Sequence, residues 1–419
     1  MPRYSLFEAF NNIRIKTESH DFLENSRTKQ TAFTRLRKLS FCDMIYFMLS
    51  IKRRCVQHEL DNFANQKGLK NVSRQAFSKQ REFIKPEAIR DINDGLVADF
   101  ENIDGYIKTL HNHRVFAVDG SVIDLPESTD LRQHFGFSSG TADTTHAKAR
   151  AMVVYDLLNG ICPYGELISF FTSETTYMHT ISDSFSGFEK YKQCIFVMDR
   201  GYPSFNLFKR IGLNNQYYLA RVTSSFYKDI VNAKDDDQIV TIKKKKENLD
   251  LRVLKTKLPS GNTEILVTNL PEIFTYTELI NLYRQRWGIE TNYHYLKNVE
   301  LLECFTGESI RAVLQDFYTC IVTLNLATIA YREQEDKLIK NKKEKKHNYK
   351  PNKKQIICDI KTDFIKLLMS KSKFSKVYKQ LFLLHRIKKY AYADIPDRSR
   401  PRKDPKRHST LKAHPKSPL

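Results

Sequence analysis

The first 110 residues carry apolar positions at helical spacing, separated by polar turns. Phe41–Ile51 reads as an apolar helix, and Cys55–Gln66 follows it with a second helical pattern. Gly68 suits a left-handed turn, and Ser73 suits the N-cap of a helix that begins at Arg74. The pattern predicts a helical N-terminal domain over residues 1–110. Because helix, glycine turn and helix also outline a helix-turn-helix, the region is either a DNA-end recognition module or a plain helical bundle.

Residues 111–335 alternate short apolar runs, typical of buried strands, with helical patterns. Val115–Val118 and Cys194–Met198 are two such runs, and each is followed at once by an aspartate, Asp119 and Asp199. Ligand sites in α/β sheets lie outside the carboxyl ends of strands, so both side chains are candidate ligands. Each aspartate taken alone could equally be a turn residue. The pattern predicts an α/β domain with two candidate acids at one edge of its sheet.

Tyr276–Val299 is predicted to form one long helix that carries a row of polar side chains. At about 100° per residue, Tyr283, Arg286, Glu290 and Lys297 fall on one stripe roughly 60° wide. An apolar stripe, which includes Ile289, runs beside it. The row could be a solvated face in which Arg286 and Glu290 form an ordinary i,i+4 ion pair. It could also present two cations and a carboxylate to a phosphate group.

The chain is strongly basic, with a formal net charge of +21. Residues 336–419 contain 26 Lys or Arg against 7 Asp or Glu, so this C-terminal region holds nearly all of the excess. Lys340–Lys354 reads as a linker, Ile356–Tyr392 as partly helical, and the chain from Asp394 onward as disordered. Nucleic acid and an anionic membrane surface are the two partners that such a charge favours. A purely solubilising tail is the alternative.

Membrane insertion and secretion are disfavoured by the pattern. No run of 18 or more apolar residues is present, and the N-terminus lacks the apolar core of a signal peptide. These features predict a cytoplasmic protein with no membrane partner. The seven cysteines include no C-x-x-C pair, which argues against a zinc finger and a disulfide scaffold.

The helix row reads Tyr-x2-Arg-x3-Glu-x6-Lys, and it resembles the Tyr-Arg-Glu-Lys signature of the insertion-sequence-four family of bacterial DDE transposases. Residues 116–121 (Phe-Ala-Val-Asp-Gly-Ser) and 197–202 (Val-Met-Asp-Arg-Gly-Tyr) are similar to the other two motifs of that family. The resemblance implies an RNase H-like catalytic core, with Asp119 on the first strand, Asp199 after the fourth and Glu290 on a helix. It also implies a β-rich insertion between the second and third acids, which agrees with strand-like runs within residues 217–269.

The resemblance further implies the chemistry. Asp119, Asp199 and Glu290 would hold two Mg²⁺ ions, for which Mn²⁺ can substitute, with Asp119 bridging both. Tyr283, Arg286 and Lys297 would hold double-stranded DNA at the transposon end. The implied function is binding of terminal inverted repeats, followed by metal-dependent cleavage and strand transfer into target DNA. The family also implies a homodimer in the synaptic complex, a DNA-associated bacterial protein, and a cut-and-paste pathway that can include a hairpin with a flipped base.

Two other functions fit parts of the sequence. An RNase H-like DNA nuclease would cut without needing specific ends. A transposase-derived DNA-binding protein would rely on the N-terminal helices and the basic tail, without transposition. The intact acidic trio argues against the second alternative, because carboxylates that face phosphates only repel them unless a cation is bound.

Overall fold

The computed structural model describes residues 4–35, 37–103, 105–139, 145–340, 348–372, 375 and 390–394. The predicted apolar spacing at Tyr378–Leu384 and most of the chain from Asp394 onward lie outside these residues. By its internal contacts the chain forms two compact units, one from Met1–Ile103 with Tyr295–Leu419 and the other from Asp104–His294. The segments at the two ends of the chain therefore share one unit. The division into three functional segments stays a prediction.

The helices follow the chain in this order: α1 Leu6–Glu18, α2 His20–Ser26, α3 Phe41–Ser50, α4 Val56–Lys67, α5 Arg74–Arg81, α6 Glu87–Glu101, α7 Thr129–Phe135, α8 Glu174–Ser186, α9 Phe205–Leu213, α10 Lys228–Val231, α11 Tyr276–Gln285, α12 Trp287–His294, α13 Ile310–Lys340 and α14 Lys353–Leu368. A 3₁₀ turn covers Glu189–Tyr191, and a π-helical turn covers Tyr295–Val299.

The strands follow the chain in this order: β1 Val115–Asp124, β2 Phe137–Ser139, β3 Thr145–Asp156, β4 Tyr164–Ser169, β5 Ile195–Met198, β6 Tyr217–Val222, β7 Asp237–Lys244, β8 Glu247–Lys257, β9 Thr263–Thr268, β10 Asn348–Lys350 and β11 Tyr392–Asp394. β10 and β11 pair with each other in the first unit. The others form one sheet in the second unit, in the order β2-β3-β1-β5-β6-β9-β8-β7, with β4 paired to β3.

The helices of the N-terminal segment follow its local signals closely. Ser73 caps α5 by accepting a hydrogen bond from the Ala76 amide, and Gly68 ends α4 at φ 66°. α1, α3, α6, α13 and α14 pack together in this unit, so C-terminal helices complete a core that the N-terminal residues begin. Phe10 and Phe364, for example, meet with their ring centroids 5.0 Å apart. The predicted helical character of this region is confirmed.

Within the described residues, one helix of the first unit is long and apolar enough to cross a membrane. It covers Ile310–Glu335 within α13, and 94% of the apolar window is buried inside the fold. Burial of this extent is typical of the central helix of a packed helical core, because a lipid-facing helix would expose its apolar side chains.

The sheet of the second unit is covered on both faces. Phe116, Phe196 and Tyr218 belong to a core cluster that includes residues of α8 and α9. Val115 and Val197, which alternate with them, belong to a second cluster that includes residues of α11. Neighbouring residues in a strand point to opposite faces, so the central strands are apolar on both sides. The result is a layer of helices on each face of a mixed sheet.

The sheet departs from the sequence prediction at β1. β1 does not stop before Asp119 but continues to Asp124, because this half of the strand pairs antiparallel with β3, with Asp119 opposite Val153. The strands predicted within residues 217–269 are present, and they extend the same sheet, since β6 pairs parallel with β5 and β9 joins β8 to β6. Both features depend on pairing between distant segments, which local patterns do not encode.

Candidate active site

The first two predicted acids lie side by side because of strand register. β1 and β5 run parallel, with Ala117 opposite Val197. Two residues further along each chain, Asp119 and Asp199 therefore reach the same level of the sheet. β5 ends at Met198, whereas β1 continues. The carboxylates thus lie where the parallel pairing opens, with backbones anchored by the central strands.

Asp119 is held in an environment that disfavours its charge. Burial, together with the charge of Glu174, raises the pKa of Asp119 to about 6. A hydrogen bond from the Gly120 amide and the charge of Arg286 act in the opposite direction but do not compensate. The charged form of a buried carboxylate whose nearest charges are mainly negative is stabilised by a bound cation. Asp119 therefore has the electrostatic character of a metal ligand.

The helix that carries Glu290 is broken at Arg286, contrary to the single long helix predicted from the sequence. α11 ends at Gln285 and α12 begins at Trp287. At the break, the Arg286 amide bonds to the carbonyl of Tyr283 at 3.0 Å, an i to i−3 contact tighter than an α-helical one. Gly288 follows, and a Cβ there would lie 3.2 Å from the Tyr155 ring of β3. Close packing of α12 on the sheet therefore accompanies the break.

Three residues of the predicted row converge despite the break. Arg286 Nη2 donates to Glu290 Oε1 at 2.6 Å and lies 3.6 Å from Asp199 Oδ2. The Tyr283 hydroxyl donates to Asp199 Oδ1 at 3.3 Å. Arg286 is buried, and its guanidinium also lies 6.0 Å from the Tyr283 ring centroid. Arg286 thus bridges the second and third acids, and Tyr283 braces the second.

Lys297, the fourth member of the row, follows α12 directly but lies where the α-helical winding has ended. It lies in the π-helical turn Tyr295–Val299, which belongs to the first unit. There its Nζ is 3.6 Å from Glu303 Oε1. The π-turn adds a residue per turn relative to an α-helix, so an extrapolation at 100° per residue from Tyr283 is not valid at this position.

Two further groups near Asp119 have no counterpart in the sequence predictions. Glu174, the first residue of α8, pairs with Arg150 of β3 at 2.5 Å. Tyr293 of α12 is buried, and its hydroxyl lies 2.8 Å from the carbonyl oxygens of Asp119 and Ala151. Tyr293 thereby ties α12 to the strand that carries Asp119. The one local signal for Glu174 was its position at the start of a helix after an apolar strand, which many surface acids share.

The chemistry of the donors fits a divalent cation, although their positions are not those of a loaded site. Among the described residues, no group of three His, Cys, Asp or Glu side chains is close enough together to hold a metal ion. Arg286 keeps two of the acids apart, because its guanidinium lies between Asp199 and Glu290, where a cation would bind. Carboxylate oxygens are the ligands that Mg²⁺ and Mn²⁺ prefer.

The raised pKa of Asp119 predicts that Asp119→Asn stabilises the metal-free protein at neutral pH. In the folded state the Asp119 carboxyl group keeps its proton up to about pH 6, whereas the usual pKa of an aspartate is 3.8. Ionisation above pH 6 therefore costs folded stability, by up to about 3 kcal/mol. Asn avoids this cost, so the variant should melt at a higher temperature than the wild type at pH 7.5 in EDTA. The difference should shrink at pH 4.5, where the native side chain is protonated.

The matched control for that measurement is Asp236→Asn, an exposed acid in the same unit, which should leave the melting temperature nearly unchanged. A fall in melting temperature for Asp119→Asn at pH 7.5 would show that the charge of Asp119 is stabilised in the folded chain. The electrostatic argument for a cation at this position would then be wrong.

Comparison with known proteins gives a family match over the region just described. The family model of the transposase DDE domain matches residues 110–326, which is 217 of the 419 residues and includes Asp119, Asp199 and Glu290. No curated protein sequence matches the chain. A solved structure described as "Cryo-EM structure of piggyBac transposase synaptic complex with hairpin DNA (SNHP)" is similar with a TM-score of 0.46 and 12% identity, over 90% of this chain and 83% of the other. The family match covers just over half of the chain, and on this ground the protein belongs to the DDE transposases.

Proposed function

We propose that this transposase binds the terminal inverted repeats of an insertion sequence and catalyses metal-dependent DNA cleavage and strand transfer. The observation that supports this most directly is that the buried Arg286 pairs with both Asp199 and Glu290, while the parallel strands bring Asp119 level with Asp199 and within reach of the charge of Arg286. The strand arrangement also supports an RNase H-like core. Asp119 lies on the first strand, and Asp199 follows β5, which is the fourth strand along the chain when the three-residue β2 is left out.

In this proposal Asp119, Asp199 and Glu290 hold two Mg²⁺ ions, and Mn²⁺ can replace them. When bound, the ions would activate the attacking oxygen and stabilise the leaving oxygen of the phosphodiester. Asp119 would contribute one of these carboxylates. Its pKa of about 6 means that a cation competes with a proton there, so metal affinity should fall as the pH drops below about 6.

Arg286 and Tyr283 are proposed to exchange their present partners for the DNA backbone. A guanidinium forms paired hydrogen bonds with a phosphate as readily as with a carboxylate. When a phosphate binds Arg286, the guanidinium no longer neutralises the carboxylates of Asp199 and Glu290. Both carboxylates then become free to bind a cation. Lys297 is proposed as a further phosphate contact. The native assembly is proposed to be a homodimer that pairs two transposon ends.

The direct test uses purified protein, Mg²⁺ and a plasmid that carries the inverted repeats flanking the coding region. A transposase should excise the repeat-bounded segment and join it to target DNA. Cleavage at sites unrelated to the repeats would favour the RNase H-like nuclease. Binding to the repeats without any cleavage would favour the DNA-binding protein that does not transpose.

DNA-end recognition is proposed for the exposed face of α5. Arg74, Gln75 and Lys79 are exposed there, and a groove of about 630 Å³ beside the helix is lined by Lys79 together with Arg35 and Arg37. Arg81, the last residue of the same helix, is buried and not available to DNA on this face. Its guanidinium bonds to Gln315, Thr306 and Asp316.

The double variant Arg74→Ala, Lys79→Ala should weaken binding to the repeat and reduce the salt dependence of that binding. Each lost phosphate contact lowers the slope of log affinity against log salt by about 0.9. Fluorescence anisotropy over a salt series measures both quantities. Lys371→Ala, an exposed lysine of the same unit, is the control. An unchanged slope in the double variant would exclude α5 as a phosphate-contacting helix.

A further inference from the structure

A fourth carboxylate lies beside Asp119, supplied by the helix on the other face of the sheet. Glu174 opens α8 directly after its N-cap, Ser173. A Cβ placed on Gly120, the neighbour of Asp119, would lie 2.8 Å from Glu174 Oε1. The carboxylate therefore rests against the backbone of β1 one residue after Asp119, in space that any other residue type at position 120 would occupy.

The polar groups around Glu174 do not satisfy all of the hydrogen-bonding capacity of its carboxylate. Arg150 Nη1 contacts Glu174 Oε1 at 2.5 Å, which leaves Oε2 free of that contact. The Tyr202 hydroxyl is buried close to Glu174 and within electrostatic reach of Asp119, but it makes no hydrogen bond of good geometry. Tyr202 is 1% exposed, so its hydroxyl faces this polar space and not solvent. A buried hydroxyl that meets a carboxylate without a well-formed hydrogen bond indicates that the polar groups here are not fully satisfied in this arrangement.

We infer that Glu174 is a further ligand of the divalent cation that Asp119 binds. The inference rests on the proposed function, because it assumes that Asp119 is a metal ligand. Glu174 would complete the cation site on the α8 side, while Asp199 and Glu290 serve the α11 and α12 side. Arg150 would then hold the Glu174 carboxylate when no cation is present, as Arg286 holds Glu290.

Two variants distinguish a metal-ligand role of Glu174 from a role as the ion-pair partner of Arg150, because the two roles predict different changes in cation affinity. If Glu174 is a ligand, Glu174→Gln removes a negative oxygen donor and weakens cation binding. Arg150→Gln removes a competing positive charge and leaves cation binding equal or tighter. If Glu174 serves only as the partner of Arg150, both variants break the same ion pair and should act in the same direction.

The experiment titrates the metal-free, full-length protein with Mn²⁺ and follows free Mn²⁺ by electron paramagnetic resonance. We expect Glu174→Gln to weaken binding by roughly tenfold or more, the scale on which residues around metal sites act. We expect Arg150→Gln to bind at least as tightly as the wild type. Asp183→Asn is the matched control, since Asp183 lies on the same helix as Glu174 and its ion pair with Arg210 of α9 is exposed. It should bind like the wild type.

A second readout is the Mn²⁺ concentration that gives half-maximal cleavage of the repeat plasmid, which should rise for Glu174→Gln by a similar factor. Circular dichroism establishes that each variant is folded. Should Glu174→Gln fail to fold, Arg150→Gln and the shorter acid in Glu174→Asp carry the test. Binding weakened by Arg150→Gln, or retained in full by a folded Glu174→Gln, would overturn the inference.

Asp119→Asn separates this inference from the proposed function. If Asp119→Asn loses Mn²⁺ binding while Glu174→Gln keeps it, Asp119 is a ligand and only the role of Glu174 is wrong. If Asp119→Asn binds Mn²⁺ like the wild type, the proposed metal site itself is wrong. A wild-type chain that binds no Mn²⁺ contradicts both.

Discussion

A Glu290→Gln variant will bind the inverted repeat like the wild type but will not cut it. Glutamine has the same shape, so its amide oxygen can still accept the hydrogen bond that Arg286 donates to Glu290 at 2.6 Å. The fold and the DNA-contacting cations are then preserved. What is lost is the negative charge that a divalent cation needs from its ligand. A metal ion at a reacting phosphoryl group contributes several kcal/mol, and about 4 kcal/mol corresponds to about a thousandfold in rate.

We therefore expect cleavage and strand transfer to fall by at least about a thousandfold. Gel-shift titration with the repeat measures binding, and plasmid excision measures chemistry. Glu272→Gln, an exposed acid just before α11, is the matched control and should retain both activities. If Glu290→Gln still cuts at a rate near that of the wild type, Glu290 is not a metal ligand and the acidic trio is misassigned.

The second large effect concerns stability and lies in the first unit. Asp316 of α13 is buried against two guanidinium groups: Arg81 Nη2 lies 3.0 Å from Oδ1, and Arg53 Nη1 lies 3.8 Å from Oδ2. The Thr306 amide also donates to Oδ2 at 2.7 Å. Burial alone would raise the pKa of Asp316, but the charges of Arg81 and Arg53 and this hydrogen bond outweigh it and lower the pKa.

Asp316→Asn would leave the buried guanidiniums without their counter-charge. Breaking a buried ion pair by removing one partner costs about 3–5 kcal/mol. We expect a clear fall in melting temperature and faster amide exchange in α5 and α13. Because the folded-state pKa is lowered, this stabilisation is present above the unfolded pKa of about 3.8 and is lost as the pH falls below it.

An exposed ion pair in the same unit provides the control for the Asp316→Asn variant. Lys366→Gln breaks the ion pair with Asp363, in which the lysine is 59% exposed, and should change the free energy of unfolding by less than about 1 kcal/mol. Equal melting temperatures for Asp316→Asn and the wild type at neutral pH would show that Asp316 does not hold the two arginines in the folded chain. Contacts other than the Arg81–Asp316 ion pair would then hold α5 against α13.

Local elements and the candidate acids could be predicted from the sequence. α4 and its end at Gly68, the Ser73 cap of α5, and the strands β6 and β9 follow from short-range preferences, which act within a few residues. The motif residues were predicted from their spacing and family resemblance, and the family match covers all three acids. Their roles as metal ligands, and those of Tyr283, Arg286 and Lys297 on DNA, stay predictions.

Which side chains meet could not be predicted in this way, because it depends on how distant segments pack. The parallel register of β1 and β5 brings Asp119 level with Asp199, eighty residues later in the chain. The break at Arg286 and the π-turn after His294 remove Lys297 from the predicted helical stripe. Arg81 is drawn into the buried network around Asp316, and Glu174 is placed against Gly120. Each of these outcomes depends on contacts between segments far apart in sequence, where the free energy of packing and pairing overrides local preference.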